Sequence, residues 1–408
     1  LNDYDQTPRD RYWLHIILFM MTVVTTMMAG MEFITAKSWA IWFQYQYLTR
    51  IEGMTVPPPP AHIMPNAFDF LKGWSYSFCF LLFLTFHEFG HYFTAVYHRV
   101  RCSLPYYIPI FIPFSALNIG SMGAVIRLRQ QPDTTTKFFD IGIAGPLAGF
   151  VISIILLTVG FATLPPPEEK IFALHPEYQR IWGYVPSEAE LLAKFGNPKY
   201  PQLMYVGHSL LFDGLAMLIA DPARLPHHFE LMHYPMLFVG FITLFFTALN
   251  LLPIGQLDGG HIIYGLFGRR VAGLISRITV VVLVTIGGVG LFSFPTMNWE
   301  HEGIFLLVYL IYLFTVIIKV TGSERKAQAV VLIILVLLVQ QMVQMIGNID
   351  RAYNLVWLLY GLIATRLIGL DHPPALREES LDFKRKLLGW FGIVIFILCF
   401  SPAPVKFL

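Results

Sequence analysis

The chain has 408 residues, 56% of them apolar and only 13% charged, with 35 phenylalanines and a net charge of +2. Soluble domains carry about 25% charged residues, so a surface facing water throughout is excluded and lipid takes the place of water as solvent. No basic tract suggests a nucleic-acid partner, and three dispersed cysteines, Cys79, Cys102 and Cys399, imply neither a disulfide framework nor a thiolate metal site.

A membrane helix needs about 20 mostly apolar residues. In chain order the candidates are 12–34, 72–98, 138–163, 235–257, 271–294, 302–320, 327–346, 353–370 and 386–402. The expected fold class is an all-α polytopic membrane protein of about nine transmembrane helices. With Arg9 and Arg11 inside, the inside segments carry Arg99, Arg101, Arg127, Arg129, Lys137, Arg269 and Arg270. The connection 295–301 carries no Lys or Arg, and 347–352 carries only Arg351. This alternation places the N-terminus in the cytoplasm.

Two extramembrane regions interrupt the helices. In 99–137, Pro105, Pro109 and Pro113 forbid a regular helix, and the stretch from Gly120 to Ile126 reads as a strand or hairpin arm. In 164–234, on the outside, Pro165, Pro166 and Pro167 end the third span. Ser187 with Glu190 forms a capping box for a short helix, and the apolar stretch 208–220 is too short to span.

The sequence His87-Glu88-Phe89-Gly90-His91 fits H-E-x-x-H inside a long apolar helix. Residues i and i+4 share a helix face, so both imidazoles reach one zinc ion. Zinc lowers the pKa of a bound water to about 7, and Glu88 stands next to the first ligand as the general base. Two histidines and a glutamate are costly inside a membrane and mark function by default. A catalytic zinc needs a third protein ligand, and Asp258 is the best candidate by depth: it follows the span 235–257 at the same inner third as His87 and His91. Asn250, two turns earlier, has two readings of equal weight. It is a catalytic donor to the oxyanion or substrate backbone, or it bonds between helices and supports the break at Pro253. His261 is another possible ligand, with a supporting or surface role the commoner case. His227, His228 and His233 with Glu230 could bind a metal in the outside loop, solvated histidines being the commoner explanation. Gln340, Gln341 and Gln344 read as polar glue between helices.

His87 to His91 resembles the first motif of the site-2 protease family of intramembrane zinc metalloproteases. Asn250-x-x-Pro253-x-x-x-x-Asp258-Gly259 resembles its second, and Gly145-Pro146-Leu147-Ala148-Gly149-Phe150 its G-P segment, with Gly149 where many members have Asn. The resemblance covers about 72–268 and implies Zn²⁺ on His87, His91 and Asp258, Glu88 as catalytic acid/base, and cleavage of membrane-spanning protein substrates within the bilayer. Segments 206–215 and 372–405 look like the plastid and bacterial branch. The region between the motifs is too short and interrupted for the PDZ domain of many members.

The expected organisation is an N-terminal span and outside loop (1–71), a catalytic membrane core with the outside insertion 164–234 (72–268), and C-terminal transmembrane helices (269–408). A helical substrate must unwind to expose its carbonyls. An enzyme strand can accept the extended backbone, and the arm at Ser121, Met122, Gly123 and Ala124 is the expected substrate-binding edge. The rival classes are a zinc-dependent membrane transporter, which would need polar residues across the bilayer, and a catalytically silent scaffold, which would not need Glu88. The expected location is a bacterial cytoplasmic membrane, with no recognisable transit peptide, and a plastid membrane is the alternative.

Overall fold

A computed structural model describes residues 11–51, 64–112, 118–195, 204–347 and 353–407. Arg9, Pro113 and Arg351 lie outside the described residues. Among those described, six helices are long and apolar enough to cross a membrane: Tyr12–Thr35, Ala67–Tyr97, Thr135–Ala162, Asp258–Gly288, Trp299–Thr321 and Lys326–Gly347. Three further expected spans are shorter helices: Pro235–Asn250, Leu355–Ile363 continued by a π turn to Ile368, and Phe383–Cys399. The helix from Pro235 stops at Asn250 because Pro253 lacks an N–H and Gly255 turns to φ 47°. Gly268, at φ 76°, breaks the helix Asp258–Gly288, so its apolar part begins close to residue 271 as the hydropathy indicates.

The chain divides into two compact units, one of residues 1–131, 144–247 and 407–408 and the other of 132–143 and 248–406. In the first, the helix Tyr12–Thr35 packs against the helix Trp74–Tyr97. The crossing is close because two glycines sit in it: a Cβ on Gly73 would stand 2.0 Å from the Met27 carbonyl oxygen, and one on Gly30 would stand 2.6 Å from Tyr76 Cβ. Thr26 and Ser77 hydroxyls, 2.7 Å apart, join the two helices by a buried hydrogen bond.

After the second helix come strands β1, Tyr106–Pro109, and β2, Ser121–Val125, which pair antiparallel with Tyr106 opposite Val125 and Tyr107 opposite Ala124. An irregularity follows Tyr107, bringing Pro109 opposite Ser121. The hairpin is anchored to the first helix, where His15 Nδ1 meets the Pro105 carbonyl at 3.1 Å, and to the second, where the Tyr76 hydroxyl donates to the Ile119 carbonyl at 3.1 Å. The region 164–234 is a mosaic of short helices, including Pro167–Leu174, Pro176–Ile181 and Glu188–Phe195. The Ser187–Glu190 capping box forms, with Glu190 Oε2 accepting from the Ser187 N–H at 2.8 Å. The stretch 208–220 is the helix Leu210–Ile219, capped by Ser209.

In the second unit the long helix Asp258–Gly288 packs against Leu355–Ile363, and glycines again set the approach: a Cβ on Gly361 would stand 2.6 Å from Val284. Gln340 donates to the Val284 carbonyl at 3.2 Å and to the Tyr309 hydroxyl at 2.8 Å, and Gln341 to the Phe292 carbonyl at 2.7 Å. Such bonds hold apolar helices together where lipid competes as solvent. The helices Trp299–Thr321 and Lys326–Gly347 expose rows of apolar side chains, among them Phe305, Val308, Ile311, Leu335, Leu338 and Met342, as lipid contact demands.

Candidate metal centre

His87, Glu88 and His91 are buried on the helix Trp74–Tyr97. The four-residue spacing stacks the rings on one face, and the Nε2 atoms lie 3.1 Å apart. Two nitrogens at about 2.0–2.1 Å from a tetrahedral zinc stand about 3.3 Å apart, so the pair fits that ion.

The helix Thr135–Ala162 supplies the wall beside them. A Cβ on Gly145 would lie 2.1 Å from His91 Nε2, and one on Gly149 would lie 2.7 Å from the Phe83 ring and 3.3 Å from His87 Nδ1. Conversely, a Cβ on Gly90 would strike the Ala144 carbonyl oxygen at 2.6 Å. Pro146 follows inside the same helix without ending it. The Gly-Pro segment is therefore a surface cut to the imidazole rings. A glycine in an apolar helix hints at close packing, but only the fold reveals that its neighbour is His91.

The hairpin supports the other flank. Tyr107 and Thr85 hydroxyls are 2.8 Å apart, tying β1 to the helix just before His87. Burial pushes the Tyr107 phenol pKa up, the Thr85 hydrogen bond opposes this, and the charge of Glu88 adds to the rise. Tyr107 is the site neighbour that the sequence reading did not single out; an aromatic in a short strand carries no such signal. Of the expected substrate residues, Met122 is 69% exposed, while Ser121 and Ala124 are buried. The Ser121 hydroxyl braces the hairpin, donating to the Ile108 carbonyl at 3.0 Å and accepting from the Gly123 N–H at 3.0 Å. Among the described residues, β2 has no strand on its far edge.

In the second unit, Asp258 opens the helix Asp258–Gly288 and Asn250 closes Pro235–Asn250. The turn between them is compact. Cβ atoms on Gly259 and Gly260 would stand 2.0 Å from the Leu251 oxygen and 2.2 Å from the Gly255 oxygen. Gly255 has positive φ and donates its N–H to Ser276 Oγ at 2.8 Å. The glycines around Asp258 thus belong to the turn that presents it. His261 Nδ1 is hydrogen-bonded to His372 Nε2 at 2.6 Å, and its ring stacks on Phe138.

Of His227, His228, His233 and Glu230, read mainly as solvated loop residues, Glu230 and His233 are buried. His228 Nδ1 bonds the Val206 carbonyl at 2.6 Å. His233 and Glu230 meet His175, whose Nε2 is 3.2 Å from His233 Nε2.

Six membrane-length helices among the described residues, with an H-E-x-x-H pair buried in one of them, are the features of a membrane-embedded metallopeptidase. The profile of Peptidase family M50 matches residues 75–294, more than half the chain, and the protein belongs to this family, which is that of the site-2 proteases. It is similar to the probable zinc metalloprotease EGY1, chloroplastic, of Arabidopsis thaliana, at 30% identity over 49% of this chain and 31% of that protein. The Oryza sativa subsp. japonica protein of the same name is 27% identical over 64% of this chain and 38% of its own length. The probable zinc metalloprotease EGY2, chloroplastic, of Oryza sativa subsp. indica is 28% identical over 52% of this chain and 32% of its own. The chain thus spans about a third of the length of the curated relatives it matches. No solved structure matches.

Proposed function

We propose that the chain is an intramembrane zinc metalloprotease that hydrolyses peptide bonds in membrane-spanning protein substrates. The observation that carries the reading is the buried His87–His91 pair, with Nε2 atoms 3.1 Å apart and Glu88 beside it on the same helix. His87, His91 and Asp258 hold Zn²⁺, which when bound supplies Lewis acidity and makes water a nucleophile near neutral pH. Glu88 takes the proton from the attacking water and returns it to the leaving amine. The wall of Gly145 and Gly149 keeps the imidazoles in register. Asn250 donates to the oxyanion or the substrate backbone, a role supported by its position just before the Pro253–Gly255 turn.

A substrate helix must unwind before its carbonyl is attacked, and its freed backbone groups need partners in lipid. The far edge of β2, from Ser121 to Ala124, receives the extended segment as an added strand. Exposed Met122 lines that edge; buried Ser121 holds the hairpin's shape. The relatives' chloroplastic names favour a plastid membrane over a bacterial cytoplasmic one, and the alternation of Lys and Arg supports a cytoplasmic- or stromal-side N-terminus. The organisation into an N-terminal span, a core over 72–268 and C-terminal helices is the arrangement we propose for this activity.

The test is Glu88→Gln in the purified chain, with zinc content and cleavage of a single-span substrate measured together. Proton transfer by a positioned carboxylate contributes about 10²–10⁴-fold. Cleavage should fall by at least about 100-fold with zinc retained. Wild-type turnover in this variant would sink the assignment.

A further inference from the structure

The geometry points to a second metal site, built by His175, Glu230 and His233 and suited to a zinc-class divalent cation. Its three donor atoms form a nearly equilateral triangle. His175 Nε2 and His233 Nε2 are 3.2 Å apart, and Glu230 Oε2 lies 3.5 Å from the first and 3.4 Å from the second. The ligand–ligand edge of a tetrahedral zinc site is about 3.3 Å.

The hydrogen bonds around the triangle show why it needs a cation. His233 Nδ1 faces the backbone carbonyl of Phe33, which can only accept, so Nδ1 carries the proton and Nε2 presents a lone pair. His175 Nδ1 likewise faces Glu177 Oε1 at 3.0 Å, which leaves its Nε2 as an acceptor. Tyr178 donates its hydroxyl to Glu230 Oε1 at 2.9 Å, while Glu230 Oε2 is buried with no hydrogen-bond partner among the described residues. Three acceptors therefore face one another with no donor among them. One shared proton could satisfy one edge; one cation satisfies all three. An imidazole whose far nitrogen is held by a carbonyl or carboxylate is the usual form of a histidine ligand.

Burial supports this occupancy. Glu230 and His233 are 2% and 3% exposed, so an uncompensated carboxylate there is costly. Among the described residues, Lys170 makes no ion pair with the triangle; its ammonium lies 4.2 Å from the centre of the Tyr234 ring. His175 is one-fifth exposed, so solvent can reach the triangle and supply a fourth ligand. The site joins three places distant in sequence: the start of the helix Pro176–Ile181, the 3₁₀ turn Leu231–His233 and, through His233, the end of the helix Tyr12–Thr35. With three ligands and no general base in the triangle, its role is to fasten the 164–234 region.

The experiment counts zinc in the purified full chain carrying His87→Ala and His91→Ala, so the result is independent of the peptidase reading. After incubation with Zn²⁺ and desalting, this variant should retain one equivalent. Adding His175→Ala, at the part-exposed edge where folding is least at risk, should remove it. Co²⁺ in place of zinc should give the visible bands of a four-coordinate site, and these should vanish with Glu230→Gln. If the double variant proves unstable, the wild-type background serves, with two equivalents expected and one after His175→Ala. Zinc content unchanged by both His175→Ala and Glu230→Gln, or no bound zinc in a folded His87→Ala/His91→Ala chain, would overturn the proposal and leave the triangle to a shared proton.

Discussion

Among the described residues, two places bring a pair of imidazole Nε2 atoms to almost the same separation, 3.1 Å on the helix Trp74–Tyr97 and 3.2 Å between His175 and His233. They do it by different means. On the helix, backbone periodicity sets the spacing, and close-packed glycines on the helix Thr135–Ala162 hold the rings from outside. In the loop region no periodicity relates His175 to His233, and the rings are pinned by hydrogen bonds at Nδ1 instead. The contrast teaches that a metal-ready histidine pair can rest on steric walls or on polar struts. The two kinds should fail under different substitutions.

The largest expected effect is Gly145→Ala. Its methyl group would need the space of His91 Nε2, 2.1 Å away, so the ring must move. Zinc affinity at the helix pair should drop by more than about 100-fold and cleavage with it, since ligand misplacement costs at least as much as losing an outer partner. The loop triangle should be untouched, and loss of metal from both places would erase the distinction. Next comes Met122→Pro, which alters neither pair but spoils the proposed edge of β2. One lost substrate hydrogen bond is worth about 1–1.5 kcal/mol, so cleavage should fall by about tenfold with zinc content unchanged. Unaltered turnover would move substrate binding elsewhere.

Glu177→Ala probes the struts. It frees the His175 ring and should weaken zinc binding at the loop triangle by about tenfold, measured in the His87→Ala/His91→Ala background. An unchanged affinity would show that the struts do not matter. The smallest change is Ser187→Ala, which removes a cap from the helix Glu188–Phe195. It should cost about 1 kcal/mol of local stability, visible as faster amide exchange in that helix, and leave both pairs intact.

Much of this was legible in the chain itself because the relevant physics is local. Apolar runs of membrane length stand out against a charge-poor background, and six become long helices. A four-residue spacing puts His87 and His91 on one helix face whatever surrounds them. Prolines at 105 and 109 forbid a regular helix, and Ser121–Val125 forms a strand inside the stretch Gly120 to Ile126 that reads as one. The same holds for the Ser187–Glu190 cap, which depends on three residues of backbone.

What only the tertiary structure decided are the encounters between distant segments. Nothing near Gly145 in sequence announces His91, because the reason for the glycine lies on another helix. The loop histidines were grouped by proximity in sequence, but the fold took His233 and Glu230, left His228 on the Val206 carbonyl, and added His175 from 58 residues away. Likewise, nothing near Ser121 in sequence announces that its hydroxyl braces the hairpin by donating to the Ile108 carbonyl. Periodicity and composition report which face of an element is apolar. Which polar atoms then meet is set by chain crossings that no local pattern encodes, and buried polar atoms without a donor become visible only after those crossings are made.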